Sequence, residues 1–329
     1  MSTRTVFMGS PATALPSLRA LLDDGAVRVV GVVAQPDQPA GRRRRPQPCA
    51  VKAEAEALGL PVLAPPRVRA PEALEALRAW APELIVVCAY GQLLPAALLE
   101  LPRLGSYNLH FSLLPRWRGA SPVQAALLAG DAATGVSLQR MVAELDAGDV
   151  VAETPPLPIR ADDTALTLGA RLAEAAAALL REALPALLSG SPPRRPQDPA
   201  AVTHCRQIRK EQGAVDFTTE TAAQIERKCR AYAPWPGCHA FLGSRRLGLL
   251  RVTLAAPPVD AEAEGGGPAP GPGVLHRDGL VRTAEGWLRL EQVRPEGKAA
   301  MPFAAFRNGN PGAIGARLTP APQPDPGAT

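Results

Sequence analysis

The chain contains no Cys-x-x-Cys pair. Its five cysteines, Cys49, Cys88, Cys205, Cys229 and Cys238, are scattered and odd in number. Neither a structural zinc nor a disulfide framework is expected, and a reducing compartment fits. Long apolar runs are missing too. The most apolar stretch, from Ala165 to Leu188, is broken by Arg171, Glu174, Arg181 and Glu182, which excludes a bilayer-spanning helix. The first residues lead almost directly into Thr5-Val-Phe-Met8, without the roughly 7–15-residue apolar region of a secretory signal. A cytoplasmic location is expected. Two glycine signatures are absent as well. Gly9-Ser-Pro-Ala lacks the second and third glycines of Gly-x-Gly-x-x-Gly, and Ser112 lacks the Gly-x-Ser-x-Gly of a nucleophile elbow. Aromatic residues make up only 4% of the chain beside 37 prolines, a coding bias from which no function is read.

What is present is enough for two domains, since 329 residues exceed one ordinary core. Candidate strands at Thr5–Met8, Val27–Ala34, Pro61–Leu63, Leu84–Ala89, Ser106–His110 and Gly135–Met141 alternate with amphipathic segments near Pro16–Leu22, Val51–Leu58, Pro71–Trp80, Leu93–Leu99 and Val123–Leu128. This alternation predicts an α/β domain with a doubly wound, Rossmann-like, mostly parallel sheet over residues 1–189. A long helix over Leu166–Leu188 closes it. The proline-rich residues 190–204 then read as a linker. Short β-type runs at Gly237–Leu242, Leu247–Leu254, Gly279–Thr283 and Gly286–Gln292 predict a small, OB-like β-barrel over 205–318. Residues 255–273 read as a Pro/Gly/Ala loop, and 319–329 as a disordered tail. From Arg206 onward there are sixteen basic and twelve acidic residues, a tilt that suits an anionic partner.

Chemistry concentrates at the end of one predicted strand. In Ser106-Tyr-Asn-Leu-His110 the alternation of side chains sets Asn108 and His110 on one face and Leu109 on the other. In a doubly wound sheet ligands bind beyond the carboxyl ends of strands. Asp146, in Glu144-Leu-Asp-Ala-Gly-Asp149, brings a carboxylate from a distant loop. An amide, an imidazole and a carboxylate can together perform acyl transfer without a covalent intermediate. Taken on spacing alone, His110 reads equally well as a packed strand-end histidine. The arginine run Gly41-Arg-Arg-Arg-Arg45 lies at the same sheet edge, and by itself reads as a solvated loop or a localisation signal ahead of an anion grip.

The run Asn108-Leu-His-Phe-Ser-Leu-Leu-Pro-Arg-Trp-Arg-Gly-Ala-Ser-Pro122, with Thr134-Gly-Val and Leu145-Asp-Ala-Gly-Asp149, closely resembles the formyltetrahydrofolate-dependent formyltransferases. Val6-Phe-Met-Gly-Ser-Pro, Gln35-Pro-Asp-Gln-Pro-Ala-Gly41, Ala89-Tyr-Gly-Gln92, Ile208-Arg-Lys-Glu211, Pro234-Trp-Pro-Gly237 and Pro295-Glu-Gly-Lys298 follow in family order, so the resemblance covers about residues 5 to 318. It implies formyl transfer from 10-formyltetrahydrofolate, without a metal, to the α-amine of initiator methionyl-tRNA. Asn108, His110 and Asp146 would be catalytic. Ser112, Leu113, Leu114 and Pro115, with backbone groups near Tyr90 and Leu145, would line the folate site. Arg42, Arg43, Arg44 and Arg45 would enter the acceptor end, and Arg209 and Lys210 would track its phosphates. The loop departs from the commoner Gly-Arg-Gly-Lys-Lys of that family, and Cys49-Ala50 stands where Ser-Pro is usual. Sister enzymes use a sugar-nucleotide or another small amine as acceptor; the arginine loop and basic C-terminal region argue against that here. An RNA-binding module with a decayed site is disfavoured by the intact Asn108, His110 and Asp146. The resemblance implies a monomer.

Overall fold

The computed structural model describes residues 2–40, 45–258 and 271–323. The chain divides into two compact units. The first comprises residues 1–123, 132–159 and 167–207; the second comprises 124–131, 160–166 and 208–329.

The first unit is built on a seven-stranded sheet of β1 (Thr3–Gly9), β2 (Val27–Val33), β3 (Val62–Leu63), β4 (Leu84–Cys88), β5 (Ser106–His110), β6 (Ser137–Arg140) and β7 (Val150–Glu153), in the order β7-β6-β5-β4-β1-β2-β3. All pairs from β5 to β3 are parallel; β6 runs antiparallel to both β5 and β7. The central strands carry the runs that two covered faces demand. Every residue of Leu84-Ile-Val-Val-Cys88 is buried, as are Val6, Phe7 and Met8. Around them Val33, Leu77, Val87, Tyr90 and Leu98 complete one core. The mostly parallel doubly wound sheet is thus as expected. The helix expected over Leu93–Leu99 shortens to Ala96–Leu99, because Pro95 starts it. The edge strand β7 is an addition to the expected set.

Strand order reverses between β1 and β4, the place where such sheets open a crevice at their carboxyl ends. Here the strand ends are laced together. Ser10 Oγ donates to the Tyr90 carbonyl at 3.0 Å, Gln35 Nε2 donates to the same oxygen at 3.1 Å, and the Gln35 N–H donates to Ser10 Oγ at 3.2 Å.

The second unit holds β8 (Cys238–Leu242), β9 (Arg245–Ala255), β10 (Leu280–Arg282), β11 (Trp287–Pro295), β12 (Met301–Pro302) and β13 (Leu318–Thr319), ordered β10-β11-β9-β8-β13 with β12 on β11. The segment after Gly271 joins the two ends of this path: Val274 bridges Arg317 beside β13, and Leu275 bridges Val281 of β10. The antiparallel sheet curls into a half-barrel, in line with the small barrel expected. Helices Ala222–Ala231 and Phe303–Gly309 pack with it, beyond the strands expected there. Most of the 255–273 stretch, at 259–270, and the tail from 324 lie outside the described residues.

Candidate active site

β5 has the alternation read from its sequence: Leu109 is buried on one face, while Asn108 and His110 share the other. Antiparallel pairing sets Gln139 of β6 directly opposite Asn108, and Ser137 opposite His110. Asp146 enters from the loop between β6 and β7, its side chain 8% exposed. Both carboxylate oxygens are engaged. Oδ1 accepts from Gln139 Nε2 at 2.8 Å and, more loosely, from Asn108 Nδ2 at 3.4 Å. Oδ2 accepts from the Gly119 N–H at 2.9 Å and lies 3.6 Å from His110 Nδ1. The three residues read as catalytic are therefore brought together.

The ring of His110 is fixed from its far side. A carbonyl can only accept, so the 2.9 Å contact with Trp117 O assigns the proton to Nε2. In the neutral ring Nδ1 then carries a lone pair toward Asp146; protonation at Nδ1 converts that contact into an ion pair. Trp117 presents its carbonyl from a left-handed backbone (φ 61), and Asp146 is also left-handed (φ 52). Such conformations cost about 1–3 kcal/mol each in non-glycine residues and persist where the surroundings impose them.

Those surroundings include the stretch expected to serve as a linker. The Trp117 N–H donates to Thr203 Oγ1 at 2.9 Å, and Arg118–Gly119 pairs in parallel with His204–Cys205. Gln197 Nε2 donates to the backbone carbonyls of Asp146 (2.8 Å) and Gly148 (2.7 Å), while its own oxygen accepts from Arg118 Nε at 2.9 Å. Arg195 bridges Val150 and pairs with Glu153. Two glycines are obligatory here. A Cβ on Gly119 would lie 2.1 Å from the Cys205 carbonyl, and one on Gly148 would lie 1.7 Å from that of Arg140. Cys205 Sγ donates to Trp117 O at 3.3 Å. Burial first, with the charge of Asp146 adding, pushes this thiol up and outweighs the opposing Ser121 N–H. A protonated thiol is no nucleophile.

Sequence reasoning missed Gln139, Gln197, Gly119 and Thr203. Gln139 is 1% exposed, and its Oε1 has no partner among the described residues. An unmet buried oxygen of this kind costs about 1–3 kcal/mol.

The residues expected to hold folate lie in three places. Ser112 and Leu114 are buried, with Leu113 and Pro115 half-buried. Ser137 Oγ pins this stretch, accepting from the Leu114 N–H and donating to the Ser112 carbonyl, both at 2.9 Å. Tyr90 sits in the core with its carbonyl at the strand ends; its buried phenol is pushed up by desolvation. Leu145 and Val142 stand out from the loop that bears Asp146, 52% and 45% exposed. Of the arginine run, Arg42, Arg43 and Arg44 lie outside the described residues; Arg45 is exposed in the short strand Arg45–Gln47. Arg209 and Lys210 are exposed in and beside the second unit's first turn. Among the described residues no group of three or more His, Cys, Asp or Glu gathers to hold a metal, and no helix is long and apolar enough to cross a membrane.

Residues 3–184 match the formyl transferase family, and residues 207–311 match the formyl transferase C-terminal domain. A methionyl-tRNA formyltransferase of Thermus thermophilus is 45% identical over 321 residues, 96% of this chain and 99% of that one. Its counterpart in Geobacter sulfurreducens is 39% identical over 310 residues, 93% of each chain. Among solved structures, WlaRD, a sugar 3N-formyl transferase, superposes with a TM-score of 0.62 at 15% identity, covering 91% of this chain and 100% of that one. HypX from Aquifex aeolicus, in complex with tetrahydrofolic acid, gives 0.59 at 17% identity over 94% of this chain and 47% of its own. At those identities the structures share the fold. With both halves matched in order and relatives aligned nearly end to end, the chain belongs to the formyl transferase family.

Proposed function

We propose that the chain transfers the formyl group of 10-formyltetrahydrofolate to the α-amino group of methionine on initiator methionyl-tRNA. The observation that carries this reading is the convergence of Asn108, His110 and Asp146 at the carboxyl end of β5, in a chain whose near full-length relatives carry the name methionyl-tRNA formyltransferase.

In this reading each group has a part. The amine attacks the formyl carbon, forming a C–N bond and placing negative charge on the formyl oxygen. Asn108 Nδ2, only loosely held by Asp146, donates to that oxygen. His110, with Nε2 committed to Trp117, meets it through Nδ1–H when the ring is charged. Asp146 stabilises the charged ring and takes the proton that the attacking amine must lose. As the bond to folate N10 breaks, Asp146 passes that proton to the nitrogen and the carbonyl re-forms, so the products are the formylated amine and tetrahydrofolate. Ser112–Pro115, the Tyr90 carbonyl and the apolar rim at Leu145 form the donor's site in this reading. Arg42–Arg45, Arg209 and Lys210 grip tRNA phosphates.

Residues 1–189 act as the catalytic domain, 190–204 as a connection that also braces its site through Gln197 and Thr203, and 205–318 as the tRNA-binding barrel, in a monomeric cytoplasmic enzyme. The test incubates the purified chain with 10-formyltetrahydrofolate and, separately, initiator methionyl-tRNA, elongator methionyl-tRNA and an amino-sugar nucleotide. Formyl-methionine on the initiator tRNA is expected. Formylation of the sugar nucleotide alone would refute the proposed acceptor.

A further inference from the structure

Gln139 stands where the sheet calls for an apolar side chain. It is buried in β6, directly across from Asn108 in the antiparallel register. Cross-strand partners share a face, and here both amides meet one atom, Oδ1 of Asp146. The Gln139 oxygen meanwhile goes unpartnered among the described residues. A residue kept for packing alone would not bring a buried amide with half its hydrogen bonding unmet.

We propose that Gln139 is a positioning residue for formyl transfer: by occupying Oδ1 of Asp146 it aims that carboxylate at His110 and keeps the Asn108 amide free for the formyl oxygen. The proposal rests on the roles given above to Asn108, His110 and Asp146. Its logic is competition between two donors for one acceptor. A buried carboxylate oxygen draws whatever donor is nearest, and after Gln139 that donor is Asn108 Nδ2. Its 3.4 Å separation is long for an N–H···O bond. Asn108 stays back because Gln139, at 2.8 Å, already satisfies Oδ1. No other described group substitutes: the Gly119 N–H serves Oδ2, and Gln197 serves the backbone carbonyl of Asp146. Without Gln139, Asn108 closes onto Asp146 and the formyl oxygen loses a donor.

The experiment measures steady-state formylation of initiator methionyl-tRNA by the unaltered chain, Gln139→Leu, Asn108→Ala, the double variant and Gln139→Glu. Gln139→Leu is expected to lower kcat about 10- to 100-fold, with both KM values within about twofold. In the Asn108→Ala background the same change is expected to cost far less, since the amide it frees is already gone. Gln139→Glu places a second carboxylate beside Asp146, so its activity relative to the unaltered chain should recover as pH falls and the pair shares a proton. Full additivity with Asn108→Ala, or a Gln139→Glu pH profile parallel to that of the unaltered chain, would overturn the proposal. Should Gln139→Leu fail to fold, the pH profile of Gln139→Glu decides alone. An unaltered chain inactive on methionyl-tRNA overturns the functional reading and this inference together, whereas an active one with additive variants sinks the inference only.

Discussion

Gln197 holds Asp146 by its backbone: the glutamine amide donates to the Asp146 carbonyl at 2.8 Å and, through the same nitrogen, to that of Gly148 at 2.7 Å. The carboxylate is left free for other partners, while the left-handed turn that presents it is clamped. Gln197→Ala removes these bonds and the one from Arg118, a loss of roughly 2–4 kcal/mol at about 1 kcal/mol per hydrogen bond. We expect amide hydrogen exchange over residues 142–148 to accelerate and kcat to fall about tenfold. Unchanged exchange in that loop would show that the clamp does not hold it.

His110→Ala should lower kcat about 10²–10³-fold, the range for loss of one donor to a developing oxyanion. The KM for methionyl-tRNA should change little, because in the proposed mechanism the ring meets the formyl oxygen and not the nucleic acid. Steady-state kinetics with both substrates varied gives the answer. A variant that kept its kcat would remove His110 from the chemistry.

Replacing Arg42, Arg43, Arg44 and Arg45 by Ala should raise the KM for tRNA and leave that for the folate donor intact. Its signature is in the salt dependence. For every phosphate that the variant no longer grips, the slope of log affinity against log salt should fall by about 0.7–0.9. An unaltered slope would return the run to the status of a solvated loop.

His239 in the second unit supplies a pH prediction. Burial, then the Arg246 guanidinium that donates to its Nδ1 at 3.0 Å, with Lys228 and Lys210 adding, holds its pKa below the ordinary value against the opposing Gly237 backbone. The unfolded chain therefore binds the proton more readily, and stability is retained above the ordinary value of about 6.5 and lost as pH falls. Thermal melts should show a lower Tm at about pH 5.5 than at about pH 7.5, and a smaller drop in His239→Gln. Equal drops in both proteins would place the acid sensitivity elsewhere.

The elements most legible in the sequence are those whose pattern is local. Leu84–Cys88 and Ser106–His110 are buried or alternating runs bounded by turn residues, and both strands fall where expected. Val150–Glu153 has only two buried apolar residues to mark it and depends on pairing with β6. The helix Ala222–Ala231 has a readable start, since Thr221 and Gln224 cap each other's N–H groups. Its buried face rests on alanines, Ile225 and Cys229, too sparse to give a clear period. At the site, Asn108 and His110 are legible from strand alternation. Gln139 is not, because its role depends on a cross-strand register, and neither is Gln197, whose partner lies 51 residues away.

In the second unit Val274 and Leu275 bridge the chain beside both ends of the described strand path. An open sheet offers a row of unpaired peptide groups to any extended chain, whether a legitimate partner or another copy unfolding nearby. The two bridges cover part of that template at each end, which disfavours strand addition there as a mode of recognition and as a route to aggregation. Side chains and loops on the outer surface are then the favoured means of engagement. That is the arrangement suited to a partner read through phosphates instead of peptide groups.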